Sequence, residues 1–88
     1  MSYRVVVTQA AARQLTERLP KSAATACVEF LFGPLAEAPH PVGAPLRAPF
    51  TGQCRARRGE YRVRYRLDDA NRIVHVLDID HRRDAYRS

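Results

Sequence analysis

Residues 55–66 read RARRGEYRVRYR, and six of these twelve are arginine. After Gly59 the stretch alternates. Tyr61, Val63, Tyr65 and Leu67 fall on one parity, and Arg62, Arg64 and Arg66 on the other. Successive side chains of a strand point to opposite faces. The pattern predicts a strand with one apolar face and one face carrying three guanidinium groups. A preceding strand is predicted over Gln53 to Arg58. Gly59 lies between the two, where a hairpin turn uses glycine's tolerance of positive φ. Arg55 and Arg57 share a parity in the first strand, so a hairpin would gather arginines from both strands on one face. Like charges set opposite each other in a ladder repel, so such a face needs a reason. Solubility is one, with the arginines fanning into water. A polyanionic partner is the other.

Outward from the hairpin, Asp68, Asp69 and Asn71 mark a second turn. A third strand is predicted over Ile73 to Ile79. It is apolar on both parities, as a strand in the middle of a sheet would be. Upstream, Pro39, Pro41, Pro45 and Pro49 are predicted to hold residues 40–50 extended and free of helix, as a connector. Before them lie two helices. The first is capped by Thr8 and runs to about Leu19, with Ala12, Leu15 and Leu19 as its apolar stripe and Pro20 as its stop. The second is capped by Ser22 and covers about Ala23 to Ala38. Ala23, Cys27, Phe30, Leu31 and Leu35 lie on one face, and Gly33-Pro34 ends or kinks it early. Tyr3 to Val7, rich in valine, reads as the opening strand. The order is β-α-α-β-β-β. It predicts an α+β fold in one domain, residues 1–88, with a curved antiparallel-rich sheet packed on a helical hairpin. Tyr61, Val63, Tyr65 and Leu67 should face the helices, leaving the arginine face open.

Composition narrows the function classes. Eighty-eight residues with 45% hydrophobic content support one modest core. The net charge is +6, and 14 of the 15 basic residues are arginine, Lys21 being the lysine. Arginine forks grip phosphate at two points and stack on bases. The charge points to a nucleic acid or an acidic protein and away from a small neutral ligand. Cys27 and Cys54 are too few for a disulfide framework and read as small buried thiols in a reducing cytoplasm. No cysteine or histidine spacing suggests a metal site, and no cofactor is expected. The chain opens on MSYRVVVT without a signal-peptide pattern. No apolar run approaches the ~20 residues of a membrane helix.

The residues left for chemistry are Arg55, Arg57, Arg62, His81, Arg82 and Tyr86. Arg82 and Tyr86 stand four apart, so a helical turn would bring them to one side. His81 follows the last predicted strand and is expected at the rim of the arginine face. Such a set suits metal-free cleavage of RNA by internal attack. That reaction needs a base for the 2′-hydroxyl, a positive cradle for the phosphate and an acid for the leaving 5′-oxygen. Arginines serve only as the cradle, since they do not exchange protons at neutral pH. The proton roles then fall to His81 and Tyr86. Plainer readings stand beside these: His81 as a surface histidine, Tyr86 as a packing residue, His40 as exposed loop, His75 as structural. Asp78 and Asp80 read as ion-pair partners for neighbouring arginines.

The segment 45–69, with its G-x-Y-R-V-x-Y hairpin, and the tail IDHRRDAYR, residues 79–87, together resemble the RelE branch of the RelE/ParE toxin superfamily. The resemblance runs from Tyr3 to Arg87. It implies a toxin of a toxin–antitoxin module, with a fold like compact microbial ribonucleases. Such a toxin cuts messenger RNA in the ribosomal A site and is held inactive by an acidic antitoxin. By resemblance, Arg62 is the strand arginine of the active site, Arg82 and Tyr86 are the tail pair, Arg55 faces the scissile phosphate, and His81 holds a position that is histidine in many relatives. Arg57 and Arg64 are expected to bind RNA. Gln53 stands where some relatives carry a lysine, which disfavours a lysine base. Two alternatives stay open: inhibition of DNA gyrase, as in the sister ParE branch, and an inactive homologue that only binds antitoxin.

Overall fold

The computed structural model describes residues 2–81. The elements are β1 (Arg4–Val7), α1 (Gln9–Glu17), α2 (Lys21–Phe32), α3 (Pro34–Glu37), α4 (Pro39–Val42), β2 (Ala44–Pro45), β3 (Gln53–Arg58), β4 (Tyr61–Asp68) and β5 (Ile73–His81). They form an α+β fold around one five-stranded sheet in the order β1-β5-β4-β3-β2. Among the described residues β1 and β5 pair in parallel, and the other strand pairs are antiparallel.

The β3–β4 hairpin follows its alternation. Arg58 pairs with Tyr61 across a two-residue loop, and Gly59 takes φ 53° there. Tyr61, Val63 and Tyr65 point under the helices, at 5%, 0% and 0% exposure. The helices meet them with the residues that helical spacing selects: Ala23, Cys27, Phe30, Leu31 and Leu35 are all buried. Each fully buried aliphatic or aromatic side chain contributes about 1.5–3 kcal/mol. Burial also pushes the Cys27 thiol up to about 11 and the Tyr61 phenol up to about 12, so both sit neutral in the core. On α1 the innermost residue is Ala11 rather than Ala12. Thr8 caps that helix, its hydroxyl accepting from the Ala11 N–H at 3.3 Å.

Local readings fail at three points. The second helix starts without help from Ser22. Pro20 is its N-cap, and the Pro20 carbonyl accepts the first helical bond, from Ala24 N–H at 2.9 Å. The proline-rich connector is not helix-free, because Pro39–Val42 forms a helical turn. A proline in the first turn of a helix gives up an N–H that has no partner there anyway. This turn brings the Pro39 carbonyl to the Tyr65 hydroxyl, which donates to it at 2.6 Å. Gly43 follows, with no room for a side chain: a Cβ there would overlap the same hydroxyl.

The third point is in β5. The strand lies inside the sheet, between β1 and β4, as its apolar residues on both parities predict, but its alternation is not continuous. Arg64 pairs with Asp78 but Tyr65 pairs with Val76, so Leu77 is an extra residue, a β-bulge. The bulge switches parity. Val74 and Val76 before it, and Ile79 and His81 after it, all point to the helix side. Helix α1 completes the backbone hydrogen bonding around the bulge. The Gln14 Oε1 accepts from Ile79 N–H at 2.7 Å, and the Thr8 hydroxyl donates to the Leu77 carbonyl at 3.3 Å. Replacing Gln14 with leucine should strand that N–H and cost about 1–3 kcal/mol. Urea unfolding checks this, and an unchanged midpoint would remove Gln14 from the bulge.

Candidate functional site

The open face of the sheet is organised in rungs. Arg57, Arg62 and Asp80 are cross-strand partners on β3, β4 and β5, and Arg55, Arg64 and Asp78 form the next rung. Gln53, Arg66 and His75 form a third. Each middle arginine of the first two rungs thus has an arginine on one side and an aspartate on the other. This eases the like-charge repulsion that the β3–β4 hairpin alone would carry. Arg64 reaches Asp78 at 3.9 Å, as the reading of these aspartates as ion-pair partners expects. With side chains about a third exposed, such a pair contributes only ~0–1 kcal/mol. Its main effect is to aim the guanidinium.

A basin of ≈ 220 Å³ opens on this face, lined by Leu46, Phe50, Arg55, Arg62, Arg64, Asp78 and Asp80. Arg55, Arg62 and Arg64 therefore converge, as the parity of the hairpin requires. Arg57 lies on the same face beside Arg62. Arg58 does not join them. It falls on the other parity and stacks over Phe30, 4.7 Å from the ring centroid. The basin can bind an anion through forked donors and stabilise added negative charge on it.

His81 is not at this rim. It pairs with Tyr61, and directly opposed residues share a face. It is 9% exposed and lies on the helix side of the sheet. The bulge at Leu77 puts it there; unbroken alternation from Val74 and Val76 would have turned it to the arginine face. Arg82 and Tyr86 lie outside the described residues. His40, expected to be loose loop, donates its Nε2–H to Asp69 Oδ1 at 2.8 Å. The Tyr3 hydroxyl donates to the same oxygen at 2.6 Å, and these two bonds hold the Asp69 carboxyl below its usual range. This cluster ties the Asp68–Arg72 turn to α4 and to Tyr3, just ahead of β1, away from the basin. Phe50 and Leu46 are basin residues that sequence reasoning passed over. They sit in the loop after β2, where no periodicity marks a side chain's direction.

No described helix is long and apolar enough to cross a membrane.

The chain is similar to known proteins. The family described as the ParE toxin of the type II toxin–antitoxin system parDE matches residues 5–86. The toxin RelE of Mycobacterium tuberculosis is 49% identical over 85 residues, spanning 97% of this chain and 87% of that one. The toxin RelG of the same organism is 47% identical over 87 residues, 99% of each chain. The solved toxin–antitoxin complex RelBE2 of M. tuberculosis contains a chain that superposes with a TM-score of 0.90 at 45% identity, covering 93% of this chain and all of that one. With a family match across almost the whole sequence and relatives named RelE and RelG at nearly half identity, the chain belongs to the RelE/ParE superfamily of type II toxins and is RelE-like within it.

Proposed function

We propose that this RelE-like toxin is a ribosome-dependent, metal-independent endoribonuclease that cuts messenger RNA in the A site and arrests translation. The observation that carries the reading is the convergence of Arg55, Arg62 and Arg64 in one open basin, with Arg57 beside it. In this reading Arg55 and Arg62 hold the scissile phosphate and stabilise the charge that builds on it. Arg57 and Arg64 grip the neighbouring backbone. Arg82 and Tyr86 complete the site, as the family resemblance implies, with Tyr86 carrying one of the two proton transfers. His81, across the sheet from the arginines, contributes to the core beneath the site rather than touching RNA. The ribosome supplies what the basin lacks. Bending the RNA into line for internal attack is an orientation effect, and such effects are worth several powers of ten. A cognate acidic antitoxin holds the toxin inactive in a cytoplasmic hetero-oligomer. The RelBE2 complex is a solved precedent for such a pair, and the surplus of arginine on the open face suits an acidic partner.

Primer extension on messages from cells pulsed with the protein tests this. In-frame breaks within translated codons are expected. They should be absent with Arg82→Ala or with antitoxin co-expressed. Arrested growth with unbroken messages would sink the ribonuclease reading and favour the ParE-type one, for which a gyrase supercoiling assay is the direct check.

A further inference from the structure

The basin is not uniformly cationic. One wall is apolar, made of Phe50 and Leu46, and Phe50 remains 43% exposed. Singly exposed apolar side chains are ordinary on a protein surface, so what marks Phe50 is its place on the wall of the arginine basin. Solubility does not require it, and the core does not use it: Phe50 is outside the buried cluster. The backbone that carries the ring is tied by turns on both sides. Phe50 N–H donates to the Arg47 carbonyl at 2.9 Å, and the Phe50 carbonyl accepts from Gln53 N–H at 3.0 Å. Leu46 N–H bonds the Gln53 carbonyl at 2.9 Å, closing the loop onto the start of β3. Across the basin the Arg64 guanidinium lies 5.7 Å from the ring centroid, within cation–π range. The buried Nε of Arg64 has no hydrogen-bond partner among the described residues.

Phosphate-binding forks and an aromatic plate a few ångströms apart match the two halves of a nucleotide. We propose that Phe50, flanked by Leu46 and Arg64, is a stacking platform for one unpaired RNA base, next to the phosphate held by Arg55 and Arg62. This deepens the RNA-cleaving function proposed above and rests on it. Stacking on an aromatic side chain tolerates every base, since each has a π-face, but larger rings gain more. The platform therefore fixes which nucleotide is seated and favours purines there.

Binding of single-stranded RNA hexamers, 2′-O-methylated to block cleavage, tests the platform. One series is intact and one carries a single abasic position moved along the strand. For the wild type, loss of the base at one position should weaken binding about 5- to 150-fold. Phe50→Trp should keep that penalty. Phe50→Leu, which keeps apolar bulk without a ring, should reduce it to within about twofold at unchanged thermal midpoint. A wild type that binds intact and abasic strands equally would overturn the platform and leave the ribonuclease reading standing. So would a Phe50→Leu variant that discriminates as well as the wild type. Unbroken messages in cells, with no hexamer binding by the wild type, would instead remove both.

Discussion

Arg62→Ala is expected to lower message cleavage about 10²–10³-fold, the usual loss when one preorganised donor to a developing negative charge is removed. The protein should stay folded. Arg62 lies on the open face of β4, its rung partners are Arg57 and Asp80, and the apolar residues on either side of it, Tyr61 and Val63, keep their places in the core. Arg62→Lys should recover only part of the loss, because a point charge restores attraction but not the two-point grip on phosphate. Primer extension beside circular dichroism separates the outcomes. Loss of cleavage together with loss of the dichroism signal would make Arg62 structural. Full cleavage by a folded Arg62→Ala protein would remove it from the site.

The second large effect is in the core. Tyr65→Ala is expected to cost about 3–5 kcal/mol, as deletion of a fully buried aromatic does. Small domains have only ~5–15 kcal/mol in total, so this variant should lose toxicity by unfolding rather than by losing chemistry. Tyr65→Phe separates the ring from its hydroxyl. It keeps the packing but leaves the Pro39 carbonyl, now bonded at 2.6 Å, without its donor. About 1–3 kcal/mol is expected for that unpaired group. Urea unfolding measures both, and a Tyr65→Phe midpoint equal to wild type would show that the hydroxyl does not secure the α4 turn. The two experiments form a pair. Arg62→Ala should be folded and inactive, whereas Tyr65→Ala should be inactive because it is not folded.

Much of this was legible in the chain. The alternation from Tyr61 to Leu67 carries its own geometry, because a period of two assigns every side chain to a face without reference to any other element. Hence the hairpin, its Gly59 turn and the gathering of Arg55, Arg57, Arg62 and Arg64 on one face all follow from residues 53–67 alone. The buried face of α2 was equally plain, since helical spacing is a local property.

What the tertiary structure decided lies where local rules meet a distant partner. The bulge at Leu77 depends on β4 register and on Gln14 and Thr8 from the other end of the chain. No pattern within β5 announces it, yet it sends His81 under the sheet and Asp78 and Asp80 to the arginine rungs. The helical turn at Pro39–Val42 is anchored by Tyr65, 26 residues away in sequence. Phe50 faces the basin because turns within its loop and a bond onto β3 hold it there. The sequence by itself determined which side chains could share a face. Long-range register and loop closure decided which of them meet, because those bonds join residues that no local period relates.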